Sequence, residues 1–163
     1  MSNAFIPQLF SILNKNYSYA VLRNHENLPQ SLDSRDIDIL LAPEQFRNFQ
    51  CDCIKLANEN SYKILYTDRD EQFWSVVFGS VEGGVAQLIQ LDIMLNLNVM
   101  GVILLDERSV LAERLFNGNV YHLPLKYVFL CKFIYSRMLN VQYPEKYLDI
   151  EKKVRRLCLT EVN

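Results

Sequence analysis

Hydrophobic and polar positions recur along this chain with two different periods. Phe5, Leu9, Ile12 and Leu13 follow helical spacing, so residues 4–15 are predicted to form a helix with one buried stripe. Short apolar runs bounded by turn residues are typical of β-strands. Such runs predict five strands in the first part of the chain, at residues 17–23, 36–41, 62–67, 72–78 and 85–95.

Start and stop signals predict the remaining elements. Pro43 at a first helical position opens a second helix, which residues 58–61 would end. The glycine-rich sequence at 79–84 predicts a hairpin loop that makes the fifth strand antiparallel to the fourth. Further on, the pattern predicts an extended piece at 101–106, a helix at 107–116 capped by Asp106, a strand at 120–123, and two closing helices at about 124–139 and 144–159.

This order of elements predicts an α+β fold, with a mixed, largely antiparallel sheet flanked by helices and a C-terminal helical pair. The chain has 163 residues, and 50% of them are hydrophobic, which is enough for one packed core and short for two. We therefore expect an α/β core at residues 1–123 and a helical pair at residues 124–163 that packs on it.

Two aspartates lie close together in the second predicted strand. Successive side chains of a strand point to opposite faces, so Asp36 and Asp38 share one face while Ile37 and Ile39 share the other. Neighbouring carboxylates repel each other, and a divalent cation such as Mg²⁺ relieves that repulsion with hard oxygen ligands. The pattern is short and common, so a second interpretation stays open, in which Asp36 ends a turn and Asp38 is an exposed residue of an edge strand.

A third aspartate interrupts the apolar run of the fifth predicted strand. An isolated carboxylate among apolar residues is costly, so Asp92 should be hydrogen-bonded, paired or bound to a metal. If the second and fifth strands are neighbours, Asp92 can join Asp36 and Asp38 on one face of the sheet. Alternatively, Asp92 caps a loop or pairs with Arg23 or Arg35.

Charge is distributed unevenly along the chain, although the net charge is only -2. Residues 126–156 hold eight Lys or Arg against three Asp or Glu, and residues 1–125 hold nine against fifteen. An acidic part that holds metal and a basic part that holds phosphate would suit a nucleotide, although a solvated helix face explains the basic part equally well. The basic stretch 146–156 has only Tyr147 for base stacking, so a nucleic-acid partner is not expected.

The cysteines and the N-terminus give no sign of a metal centre or of export. Cys51 and Cys53 would diverge on a helix, and neither histidine has a second ligand at metal spacing, so free thiols are expected. No apolar run approaches the ~20 residues that cross a bilayer, and the first residues lack a basic region. We expect a cytoplasmic protein with no membrane partner.

The strand with Asp36-Ile37-Asp38, the helix after it and the later strand with Asp92 resemble the minimal nucleotidyltransferases of the DNA polymerase beta superfamily. The runs VLRNHENLP, SRDIDILL, QLDIML and LPLKYVFLCK look like those of a bacterial group of nucleotidyltransferase-like proteins within it. The similarity covers about residues 17–150. It implies a nucleotidyltransferase-type sheet and transfer of a nucleoside monophosphate from a nucleoside triphosphate, ATP for example, to a hydroxyl group of a small molecule, sugar phosphate or protein.

The same resemblance implies roles for particular residues. The catalytic residues, which would also hold two Mg²⁺ ions for which Mn²⁺ can substitute, are Asp36, Asp38 and Asp92. The residues implied to contact the nucleotide are Arg23, Asn24, Ser34 and Lys132.

One segment departs from the family pattern. The family has a Gly-Ser pair at the end of the first strand, where this chain has Leu22-Arg23-Asn24. Without glycine a close backbone approach to phosphate is harder, so side chains such as Arg23 would have to supply the contacts. Arg23 could equally fill the carboxylate site. The alternative function is therefore a catalytically degenerate nucleotide-binding, regulatory or interaction domain on the same fold.

Overall fold

The computed structural model describes residues 4–32, 36–99, 102–138 and 152. Its helices are α1 (Phe5–Asn16), α2 (Phe46–Glu59), α3 (Glu107–Ala112) and α4 (Leu125–Met138), and a 3-10 turn at Pro43–Gln45 leads into α2. Its strands are β1 (Tyr19–Val21), β2 (Asp36–Leu41), β3 (Lys63–Arg69), β4 (Phe73–Glu82), β5 (Val85–Met94), β6 (Leu97–Val99), β7 (Val102–Leu105), β8 (Leu115–Phe116) and β9 (Tyr121–His122).

Seven of these strands form one mixed sheet in the order β3-β4-β5-β2-β1-β9-β8. The β2–β5 and β1–β9 pairs are parallel and the other four pairs are antiparallel. Strands β6 and β7 form a separate antiparallel pair. The architecture is α+β, as predicted, and the parallel β2–β5 pair makes neighbours of the two strands that carry the aspartates.

One face of the sheet is covered by α1 and α2. The apolar stripe of α1 and that of α2 pack against Ile37 and Ile39 of β2 and against the buried residues of β4 and β5. The ring of Phe5 lies 5.6 Å from that of Phe78, and the ring of Phe46 lies 5.8 Å from that of Trp74. We call this side the helix face, and the opposite side, which carries the three aspartates, the site face.

A second apolar cluster covers one end of the site face. Leu40 of β2 contacts residues of β6, α3 and α4, which include Leu97, Val110 and Val128. The part of β2 that follows Asp38 is therefore covered by apolar residues on both faces of the sheet. The aspartates lie at the border of the second cluster.

The hairpin between β4 and β5 is tighter than the sequence predicted. The expected loop at 79–84 is wrong in extent, because β4 continues to Glu82 and only Gly83 and Gly84 form the turn. Both glycines have positive φ, of 58° and 81°, as the central residues of a type I′ hairpin turn do. Likewise, β3 extends two residues beyond the predicted 62–67, because Asp68 and Arg69 pair with β4.

The C-terminal part also corrects the prediction. Asp106 caps α3 as expected and accepts a hydrogen bond from the Ser109 amide at 2.9 Å. The helix predicted at 107–116 is too long, because Leu115 and Phe116 pair with β9 instead. Strand β6 was not predicted. The helix predicted at 144–159 falls outside the described residues apart from residue 152.

The helices of the described ranges include none that is both long enough and apolar enough to cross a membrane.

Candidate functional site

Asp36 and Asp38 lie on the site face of an interior strand. Strand β2 runs between β1 and β5, so Asp38 is not the exposed edge residue of the second sequence interpretation. Asp38 is 6% exposed, and Asp36, at the beginning of the strand, is half-buried. The alternation of β2 buries Ile37 on the helix face, which turns both carboxylates to the opposite side.

Asp92 joins these two residues because of the parallel register of β2 and β5. In that register Asp38 is directly opposite Asp92, and Asp36 is opposite Gln90. One carboxylate oxygen from each of Asp36, Asp38 and Asp92 lies within 4.8 Å of the others. The three carboxyl groups therefore meet, although 53 residues of chain lie between Asp38 and Asp92.

Asp92 is held by two polar neighbours that the sequence interpretation did not single out. Ser75 Oγ donates to Asp92 Oδ1 at 2.6 Å, and Gln90 Nε2 lies 3.1 Å from both Asp92 oxygens. Ser75 is opposite Asp92 on β4 and is 7% exposed. The sequence did contain an indication of Ser75, since a serine inside the apolar run FWSVVF needs a hydrogen-bond partner when it is buried.

Arg23 reaches into the carboxylate cluster from the end of β1. Its Nη2 lies 3.0 Å from Asp36 Oδ2, and its Nε donates to Asp38 Oδ2. The Arg23 side chain is 22% exposed. One guanidinium thus bridges two carboxylates, which is the arrangement that the non-catalytic alternative expects.

The pKa of the Asp38 carboxyl is raised above its ordinary value. Burial is the main cause, and the charge of Asp36 adds to it, while the hydrogen bond and charge of Arg23 act in the opposite direction. Because the surroundings on balance disfavour the anion, additional positive charge at this point is favourable.

Asn24 follows Arg23 in a left-handed backbone conformation. Its φ is 55°, a region that glycine adopts without cost and that asparagine tolerates better than most residues. The position thus turns sharply without a glycine. The Asn24 side chain is exposed.

A cavity of about 410 Å³ opens beside Asp38 and Arg23. Its walls are largely apolar and include Phe73, Met94 and Val128. The cavity is within the range of small-molecule sites. The side chains of Gln72, Asn96 and Asn98 supply polar groups.

Lys132 of α4 also lines this cavity. Its charge acts on Asp38 and lowers the pKa of that carboxyl, against the larger effect of burial. Among the residues implied to contact a nucleotide, Arg23 and Lys132 therefore lie at the cavity. Ser34 lies outside the described residues.

Two solved structures are similar to this chain, and both are described as a "putative nucleotidyltransferase". One, from Thermotoga maritima, has 15% identity and a TM-score of 0.46, with 91% of this chain and 89% of that chain covered. The other, from H. pylori, has 10% identity and a TM-score of 0.46, with 79% of this chain and 53% of that chain covered. No family model and no curated protein sequence matches the chain.

Taken by itself, the arrangement can bind a hard cation next to a phosphate. Three converging carboxylates supply oxygen ligands of the kind that Mg²⁺ and Mn²⁺ prefer. Arg23 and Lys132 line the same cavity, and the positive charges of both act on Asp38. The donor set therefore fits a divalent cation, provided that Arg23 leaves the oxygens it now occupies.

Proposed function

We propose that this protein is a Mg²⁺-dependent nucleotidyltransferase, which transfers a nucleoside monophosphate from a nucleoside triphosphate to a hydroxyl group of a small molecule, sugar phosphate or protein. The observation that carries the proposal is the meeting of Asp36, Asp38 and Asp92 on one face of the sheet. Their order along the chain is also the pattern of the family that the sequence resembles.

Asp36, Asp38 and Asp92 would hold the metal. Bound there, Mg²⁺ would supply Lewis-acid stabilisation to the attacking and leaving oxygens of an in-line displacement. Asp38 is buried and the other two carboxylates are half-buried, which strengthens their attraction for a cation because less water screens it.

Arg23 and Lys132 would bind the phosphates. Arg23 now donates to Asp36 and Asp38, and it lines the cavity at the same time. When those carboxylates bind another cation, the guanidinium can donate to phosphate oxygens, which it matches well in geometry. The apolar walls beyond, with Phe73 and Val128, would cover the nucleoside.

Asp92 would accept a proton from the acceptor hydroxyl. The hydroxyl oxygen would bond to the α-phosphorus, the bond from that phosphorus to the pyrophosphate oxygen would break, and the proton would pass to the Asp92 carboxylate. The hydrogen bonds from Ser75 and Gln90 fix the orientation of that carboxylate.

The test is binding of nucleotide and metal followed by transfer. Nucleoside triphosphate with Mg²⁺ should raise the melting temperature, and Asp38→Ala should abolish the increase. Asp70→Asn is the matched control, because Asp70 lines the same cavity outside the cluster. Incubation with labelled triphosphate and a cell extract would then identify the acceptor by its label. If none of the four triphosphates changes the melting temperature, the proposal is wrong.

A second function is favoured by one observation, the bridge from Arg23 to Asp36 and Asp38. If that bridge is permanent, the protein is a non-catalytic regulatory or interaction domain on the same fold. Titration with Mn²⁺, followed by electron paramagnetic resonance, separates the two. If the protein is an enzyme, the wild type binds Mn²⁺. If it is a non-catalytic domain, only the Arg23→Gln variant binds Mn²⁺.

A further inference from the structure

Strand β3 is an edge strand whose residues are all exposed. It lies at the end of the seven-stranded sheet, and none of its seven residues, Lys63–Arg69, is buried. Three of them are large and apolar: Ile64 is 43% exposed, Leu65 61% and Tyr66 56%. An exposed apolar edge strand is a template for pairing with another strand.

A β-bulge in β3 interrupts the usual alternation of side chains between the two faces of the sheet. The register with β4 shifts between Ile64 and Tyr66, so Leu65 has no direct partner. Its side chain lies over Gly79, where an added Cβ would be 2.4 Å from Leu65 Cδ1 and 3.3 Å from Leu88 Cδ2. Leu88 is on the site face, four residues before Asp92. Leu65 and Tyr66 are therefore adjacent in sequence and yet share the site face.

The charged residues on either side of this pair are on the same face. Lys63 is opposite Gly79, and Asp68 is opposite Ser75, which itself faces Asp92. The site face of β3 therefore reads, in chain order, basic, apolar, apolar, acidic. Ile64 and Thr67 turn to the helix face.

The basic, apolar, apolar, acidic order of β3 is complementary to the same strand running in the opposite direction. When a second β3 runs antiparallel, with the two-fold axis between Leu65 and Tyr66, Lys63 of each chain is opposite Asp68 of the other. Leu65 is then opposite Tyr66, and Ile64 is opposite Thr67. Every pair has both members on the same face, as direct cross-strand partners must. Without the bulge, Leu65 and Tyr66 would be on opposite faces and this register would fail.

We propose that two copies of this chain associate through β3, to form a continuous antiparallel sheet across a two-fold axis. Charges on an edge strand usually discourage pairing. Here Lys63 and Asp68 favour a second copy of β3 as the partner. In the antiparallel register each charge is opposite the opposite charge of the other copy. Within the described part of the chain, no ion pair involves either residue.

The pairing has a direct consequence for the carboxylate clusters. The two-fold axis is perpendicular to the sheet, so the site faces of both copies point to the same side. The association leaves each cluster accessible, since β3 and β4 lie between the axis and the strands β5 and β2 that carry the cluster. The proposed dimer therefore does not depend on the proposed enzyme activity, and each proposal can be tested without the other.

Sedimentation velocity of the full chain over a range of concentrations tests the proposal. The wild type should dimerise reversibly. Lys63→Asp and Asp68→Lys alone should each weaken the dimer roughly tenfold, because each places like charges opposite one another twice. The double variant, Lys63→Asp with Asp68→Lys, should restore association, since the pairs are then reversed. Restoration also shows that both substitutions can be present together in a folded protein, and the circular dichroism spectra of the single variants show whether each of those folds.

Leu65→Lys should give a monomer, because it places two ammonium groups next to the axis. Val81→Lys is the matched control, as Val81 is 75% exposed on the same face of β4 but lies outside the strand pair. A wild type that stays monomeric at every concentration would overturn the proposal. So would a dimer that Leu65→Lys leaves intact, or single charge reversals that the double variant does not rescue.

Discussion

Asp38 and Asp92 are directly opposite each other on the neighbouring parallel strands β2 and β5. If the two carboxylates and Asp36 act as one ligand set, as we propose, removing the charge of any member should impair cation binding as a whole. We expect Asp92→Asn to weaken Mn²⁺ binding at least about tenfold, in line with the loss of one charged ligand. Isothermal titration calorimetry would measure this. Asp70→Asn, in the same cavity, should bind like the wild type, and equal affinities for all three proteins would place the cation elsewhere.

Arg23 stabilises the cation-free protein by bridging Asp36 and Asp38. We expect Arg23→Gln to lower the free energy of unfolding by about 2 kcal/mol, the value of hydrogen bonds to charged groups. This corresponds to a decrease of about 6 °C in melting temperature for a chain of this size. Calorimetry without metal would measure it, and Mn²⁺ should reverse much of the loss.

The matched control for Arg23 is another basic residue in an ion pair. Lys126 pairs with Glu113 at the surface, where the two side chains are 56% and 48% exposed. Lys126→Gln should change the free energy of unfolding much less than Arg23→Gln does, because water screens such pairs. Equal effects of the two substitutions would contradict a special role of the Arg23 bridge.

Ser75 positions Asp92 without joining the cluster itself. Ser75→Ala removes the 2.6 Å hydrogen bond to Asp92 Oδ1, and we expect Mn²⁺ affinity to fall about tenfold or more, as for other residues that orient a metal ligand. Ser80→Ala, on the same strand, should leave it unchanged. The melting temperature distinguishes this loss of Mn²⁺ affinity from misfolding, since the lost hydrogen bond should lower the free energy of unfolding by only about 1 kcal/mol.

His25 and His122 stack on each other, with ring centroids 3.7 Å apart and ring planes 16° from parallel. Burial, and secondarily the charge of His122, lowers the pKa of His25 below the ordinary 6.5. The unfolded chain therefore binds a proton more readily than the folded protein. The stability that the lowered pKa of His25 contributes is fully present above pH 6.5 and is lost as the pH falls through that lowered pKa.

We expect the melting temperature of the wild type to fall between neutral and mildly acidic pH, and His25→Gln to reduce that slope. The chain has two histidines, so few other groups titrate in this range. Parallel curves for the two proteins would assign the pH dependence to other groups.

Val128 tests the role of the cavity separately from that of the metal. Val128 is 9% exposed, and it lines the cavity from α4. Val128→Phe should fill part of the space and lower the affinity for nucleoside triphosphate about tenfold, while Mn²⁺ binding is retained. The change adds volume to a packed region and costs ~1–3 kcal/mol of stability. Val81→Phe, at an exposed position, is the control. Unchanged nucleotide affinity would show that the nucleotide binds outside this cavity.

The shared face of Asp36 and Asp38 could be predicted because it depends on local geometry alone. Side chains two apart in a strand point the same way, whatever the rest of the fold does. Asp92 was found by the cost of its apolar surroundings. Its position opposite Asp38 could not be predicted, because the register of two strands distant in sequence depends on the whole sheet.

Other features escaped prediction for different physical reasons. Leu115 and Phe116 fit the helical period of α3, and only their pairing with β9 excludes them from that helix. Strand β6 was missed because Asn96 and Asn98 interrupt the apolar pattern there. The bridge from Arg23 depends on how a long side chain leaves the end of β1, which the order of residues does not determine.

The hairpin turn at Gly83 and Gly84 lies in the sequence between Asp36 and Asp38 on one side and Asp92 on the other. A polypeptide cut between these glycines would leave Asp36 and Asp38 on one fragment and Asp92 on the other. Such a split protein could bind the cation at the cluster only after its two fragments had reassembled. Cation binding would therefore report that β2 and β5 have paired.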